Sequence, residues 1–154
     1  MMDYDMISCG VAGHGDPIPE GAKQKIADAI HELLQKGYRR FLIALTGEVA
    51  LTFAESVLTV RGQSPDIGID VLIPFDGWME EQADSARYKQ ITAQSESVNY
   101  SCEEEYEDSV DICNRQLIGF GRCMIAIHNG GDEIMREFIE EARDAEQEVR
   151  EILI

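Results

Sequence analysis

Phe41-Leu42-Ile43-Ala44-Leu45-Thr46-Gly47-Glu48 decides the fold: five apolar residues of strand length run straight into a glycine turn. An amphipathic stretch over residues 49–60 then reads as a helix. A strand apolar on both faces, followed by a helix, belongs in a parallel sheet whose two faces are both covered.

The same unit recurs on either side. Upstream, Met6 to Ala12 reads as a buried strand, Gly13 to Pro19 as a turn-rich loop, and the spacing of Ala22, Ile26, Ala29, Ile30, Leu33 and Leu34 as one helix face closed at Gly37. Downstream, Ile69 to Pro74 is a third strand. Helical patterns follow over residues 83–95 and 106–120, separated by a weakly strand-like Ser97 to Tyr100. Cys123 to His128 is a strong strand, Asn129-Gly130-Gly131 a turn, and Glu133 to about Glu148 a long helix, with a short strand after Arg150. Alternating strands and helices predict a three-layer α/β/α Rossmann-like sandwich with a mostly parallel sheet. A chain of 154 residues with 44% apolar content fits a single domain over residues 1–154.

Composition narrows the function classes. The net charge of −17 opposes binding to a duplex that carries one phosphate charge per about 1.7 Å. Only Lys36, Arg39 and Arg40 cluster, so nucleic acid is excluded as a partner on this reading. Apolar runs fall well short of the roughly 20 residues that span a bilayer, and the acidic start is unlike a signal peptide. No membrane association and a cytoplasmic location are therefore expected. Cys9, Cys102, Cys113 and Cys123 lack metal-ligand spacing, and His14, His31 and His128 are scattered, so neither a metal site nor a cofactor is expected.

Ligands of open α/β sheets sit beyond the carboxyl ends of the strands, where the strand order reverses. That rule selects the turns at Gly10 to Gly15, Thr46-Gly47-Glu48 and Gly130-Gly131. Small residues there let backbone N–H groups approach a phosphate, or simply make tight turns. His14 is placed to touch a ligand or to cap its loop. Pro74 and Phe75, with Trp78, offer an aromatic surface for a base or close the end of the core. Asn114 and Arg115 lie on a helix leading to the strand at Cys123. Asp132 either disturbs an anion cradle or N-caps its helix.

Taken in order, Gly13-His14, Thr46-Gly47-Glu48-Val49-Ala50, Leu72-Ile73-Pro74-Phe75 with Trp78 and Tyr88, the Asn114 helix and the strand Met124 to His128 resemble the SLOG superfamily. That group contains phosphoribohydrolases, the DNA-processing protein DprA and nucleotide-ligand sensors, and within it the pattern is most similar to the YpsA-like proteins. The resemblance implies a nucleotide or nucleotide-derived ligand over the glycine turns, contacting Gly13, His14, Thr46, Gly47, Glu48, Pro74, Phe75, Asn114, Arg115, Gly130 and Gly131. Relatives often pair through helices bordering the site, which leaves a homo-oligomer open here.

Departures from the family pattern matter as much. The phosphoribohydrolase motif G-G-x-G-T-x-x-E reads Gly130-Gly131-Asp132-Glu133-Ile134-Met135-Arg136-Glu137, so the phosphate-gripping Gly-Thr is Glu-Ile. Ala50, Thr52, Gly119 and Arg122 also replace residues common in relatives. Binding or sensing of a nucleotide-like molecule is the leading expectation. Hydrolysis of a nucleoside 5′-monophosphate with Glu137 as general acid or base, and Arg115 on the phosphate, is the enzymatic alternative. An acidic protein-interaction module built on Glu103 to Asp111 is the third.

Overall fold

A computed structural model describes residues 7–14 and 18–154. Met6, at the start of the first expected strand, and Gly15 of the first turn lie outside the described residues. Six strands form one sheet: β1 (Ser8–Gly13), β2 (Arg40–Ala44), β3 (Gly68–Phe75), β4 (Ser97–Cys102), β5 (Cys123–His128) and β6 (Glu148–Leu153). Their order is β4-β3-β2-β1-β5-β6, and every neighbouring pair is parallel. The chain steps outward from β1 to β4, then returns to place β5 on the other side of β1. The switch point is therefore the crevice between the ends of β1 and β5.

Strand residues alternate between two buried faces. Cys9, Val11, Phe41, Ile43, Ile69, Val71, Ile73, Ile125 and Ile127 point to one. That face is covered by α1 (Ala22–Gln35), α2 (Glu48–Arg61), the single turn α3 (Trp78–Glu81) and α4 (Ser85–Ala93). Ala12, Leu42, Ala44, Leu72, Met124 and Ala126 point to the other, under α5 (Ser109–Arg115) and α6 (Glu133–Asp144). The second face is lined by smaller side chains, so its helices sit close. At Gly10 an added Cβ would lie 3.3 Å from Leu117 Cβ.

Local signals explain most boundaries. Gly37, at φ 99°, takes the left-handed position just past α1. Asp132 caps α6, its Oδ1 accepting from the Ile134 N–H at 2.9 Å and the Met135 N–H at 3.4 Å. Three helices are shorter than the sequence pattern predicts, and the one expected over 83–95 is α4 (Ser85–Ala93). The expected helix over 106–120 narrows to α5, because the chain leaves it through Gly119 (φ 85°) and Gly121 (φ 69°) to enter β5. The last helix stops at Asp144, since Glu146 takes a left-handed turn (φ 64°) that starts β6. Among the described residues no helix is long and apolar enough to cross a membrane.

Candidate functional site

Gly13 ends β1 against the first turn of α2. A Cβ there would stand 2.7 Å from Val49 Cγ1, so only glycine permits this approach. The next residue is tied to the neighbouring strand, the His14 N–H donating to Ile127 O at 2.8 Å. On the other side, the Thr46 N–H turns back to Ala44 O at 3.0 Å, which bends the chain away from β2. Gly47 then starts α2 in fully extended backbone, and a Cβ on it would meet nothing within 4 Å.

These turns open a cavity of about 430 Å³ at the switch point, within the range of about 300–1,000 Å³ usual for small-molecule sites. Gly13, His14, Thr46, Gly47, Glu48 and Asn114 all line it, so the structure brings together six of the positions singled out in the sequence. Val49, Val110, Ile134 and Met135 add an apolar wall. The carboxylates Glu107, Asp108, Asp111 and Asp132 complete it, none of them expected as ligand contacts from the sequence. In a sequence, Glu107 to Asp111 looks like solvated charge; only the tertiary placement of α5 sets this segment at the border of the cavity.

The other expected contacts lie elsewhere. Phe75 is buried and packs edge-on against Trp78, with ring centroids 5.5 Å apart, so it closes the core. Pro74 lies within β3 and does not line the cavity. Arg115 is held by Asp111 at 2.8 Å and by Glu141, both of which push its pKa up, and it too is outside the lining. Glu137, the expected general acid or base, is exposed on α6 and is not part of the cavity wall. Gly130 and Gly131 border separate, adjoining hollows.

Hydrogen bonding shows what the glycine turns have left to offer. The Gly130 N–H donates to His128 Nδ1 at 3.1 Å and the Gly131 N–H to Asn129 Oδ1 at 2.9 Å. With Asp132 at the N-cap of α6, the donors of the turn after β5, where the sequence offered only a weakened anion cradle, are filled by the protein itself. By contrast, α2 has glycine at its N-cap and no side-chain cap, so its N-terminal pole faces the cavity uncapped.

That pole is opposed by the carboxylates. A helix N-terminus favours an anion by roughly 0.3–1 kcal/mol. Two unit charges 4 Å apart interact by about 4 kcal/mol at an effective dielectric of about 20, so a carboxylate that close to a bound anion would outweigh the pole. Asp111 is paired with Arg115 and Glu48 with Arg87 at 3.5 Å, while Asp132 contacts the His14 ring. Glu107 and Asp108 have no ion pair among the described residues and stand exposed at the lip. No lysine or arginine lines the cavity among the described residues. Arg87, which pairs with Glu48 of the lining, is committed to Glu55 at 2.6 Å, which with Glu48 and Asp84 raises its pKa. On another lining residue, Asn114, the side-chain Oδ1 is buried with no hydrogen-bond partner among the described residues.

No family model matches the sequence. No curated protein matches it. Solved structures do. DNA processing protein A (DprA) from Streptococcus pneumoniae superposes with a TM-score of 0.72 at 12% identity, over 96% of this chain and 50% of that one. DNA processing protein A from Helicobacter pylori, in a structure addressing its single-stranded DNA binding mode, superposes with a TM-score of 0.70 at 16% identity, over 96% of this chain and 66% of that one. The chain thus spans about half of the first protein's length and less than two thirds of the second's. The exclusion of nucleic acid drawn from net charge is corrected by the second likeness: a protein of this fold binds single-stranded DNA. Net charge describes the summed field, whereas strand binding depends on where charges are segregated. Both likenesses are to DNA processing protein A, and they show that this chain has a Rossmann-like α/β fold of the same architecture.

Proposed function

We propose that the cavity binds a nucleotide or a nucleotide-derived small molecule, and that the chain senses or sequesters it. The observation that carries this reading is the cavity's position, beyond the ends of β1 and β2 at the switch beside β5, with Gly13, Thr46, Gly47 and Asn114 in its wall. The order of turns resembling YpsA-like proteins supports it as well. Isothermal titration of the full chain with nucleosides, nucleoside monophosphates, ADP-ribose and NAD tests it. Saturable binding of at least one is expected, and no binding of any at millimolar concentration overturns the reading.

The proposal is one of binding. Glycosidic hydrolysis through Glu137 is left out because that carboxylate does not reach the cavity wall. Single-stranded DNA is a second reading, favoured by the likeness to the Helicobacter pylori protein. Fluorescence anisotropy of a labelled oligonucleotide, competed with the small-molecule panel, separates the two: saturable binding that the panel does not displace favours the strand.

A further inference from the structure

Resting on the nucleotide-derived ligand reading above, we propose that this cavity takes its ligand without a phosphate, as a nucleoside or a comparably uncharged, hydroxyl-bearing heterocycle. The reason is a mismatch between what a phosphate needs and what the wall offers. A phosphate needs donors and positive charge. Here the lining holds no lysine or arginine among the described residues. The two nearby guanidiniums, Arg87 and Arg115, are each spent on carboxylates of the protein. The backbone donors after β5 are taken by His128 and Asn129.

Beside the uncapped N-terminal pole of α2, what remains is mostly acceptors. Carboxylates at neutral pH accept hydrogen bonds and donate none. Glu107 and Asp108 present such groups at the lip with no ion pair among the described residues, suited to ribose-like hydroxyls. Asn114 Oδ1 is a second and independent sign. It is a buried acceptor that no donor among the described residues meets, on a residue that lines the cavity, and such a group is costly to leave unpaired. A phosphate brings no such donor; an exocyclic amine or a hydroxyl does. Val49, Val110, Ile134 and Met135 supply the apolar surface on which a heterocycle packs.

The test is titration calorimetry of the full chain with adenosine, inosine and guanosine against their 5′-monophosphates. The nucleoside is expected to bind roughly tenfold or more tightly than its monophosphate. The gap is expected to narrow as ionic strength rises from about 0.01 M to about 1 M, where the Debye length falls from about 30 Å to about 3 Å. In a Glu107→Gln/Asp108→Asn double variant the monophosphate is expected to gain affinity. Asn114→Leu is expected to lose nucleoside binding while circular dichroism shows a folded chain. A monophosphate that binds as tightly as its nucleoside, or a ratio indifferent to both salt and the double variant, overturns this inference and leaves the parent reading intact. Binding of neither form overturns this inference, and the parent reading falls with it only when ADP-ribose and NAD fail to bind as well.

Discussion

His14 Nδ1 lies 2.5 Å from Asp132 Oδ2, joining the exit of β1 to the N-cap of α6 across the switch point. One carboxylate therefore serves two structures, since its other oxygen caps the helix. The joint also closes off one side of the cavity, which is why Asp132 appears in its wall.

Asp132→Ala removes both contacts. Loss of an N-cap of this kind costs about 1 kcal/mol, and Asp132→Asn, which keeps an acceptor for the Ile134 N–H, is expected to recover most of it. Urea denaturation of the three proteins measures the difference. Equal midpoints for Asp132→Ala and the wild type would show that the joint contributes nothing.

The two glycines facing the cavity are expected to behave differently. Gly13→Ala drives a methyl into Val49, and overpacking of this kind costs about 1–3 kcal/mol. Gly47→Ala meets open space in backbone any residue adopts, so its stability cost stays near the roughly 0.5–1 kcal/mol of alanine at an N-cap. Its methyl borders the cavity, so ligand affinity is expected to fall more than stability. Thermal melts beside calorimetric titration of each variant check the contrast.

Gln147 holds the connection from α5 to β5. Its Nε2 donates to Phe120 O at 2.9 Å, and its Oε1 accepts from the Gly119 N–H at 3.0 Å. The residue is only 8% exposed, so Gln147→Leu leaves these backbone groups unmatched, at a cost of about 1–3 kcal/mol. Hydrogen exchange is expected to accelerate at Gly119 first; unchanged protection there would refute the clamp.

Thiol reactivity is expected to divide by burial. Cys9, Cys113 and Cys123 are buried and Cys102 is partly exposed. Burial pushes the Cys113 thiol up to about 11, so at pH 8 it stays protonated and inert. A thiol-reactive disulfide reagent should therefore label one residue of the native chain, and Cys102→Ser should abolish that label. Unfolding in denaturant exposes the others.

Glu151 governs part of the acid limb of stability. The hydrogen bond to His128, at 2.8 Å, holds its carboxyl below the ordinary value of 4.5, with Arg143 adding to the effect. A depressed carboxylate contributes stability above its unfolded pKa and loses it as pH falls through the folded one. Glu151→Gln is therefore expected to flatten the loss of stability below about pH 4.5. Chemical denaturation at several acidic pH values gives the two slopes.

Much of the architecture is legible before folding is considered. Apolar runs such as Phe41 to Leu45 and Cys123 to His128 have nowhere to go but a doubly covered sheet, and the glycines that follow them mark where strands end. Helix ends were less legible at α5 and α6, because the turns at Gly119, Gly121 and Glu146 are set by how the chain re-enters the sheet and not by local periodicity.

Residue order thus determined the element types, the parallel sheet and the turns that border the crevice, since periodicity and backbone freedom are local properties. Tertiary structure alone decided what those turns present. It set Phe75 into the core, tied Arg115 to Asp111 and Glu141, filled the Gly130-Gly131 donors from within, and brought Glu107, Asp108 and Asn114 to the border of one cavity. Charge and hydrogen-bond balance at a site depend on groups distant in the chain, and the sum exists only once they are packed side by side.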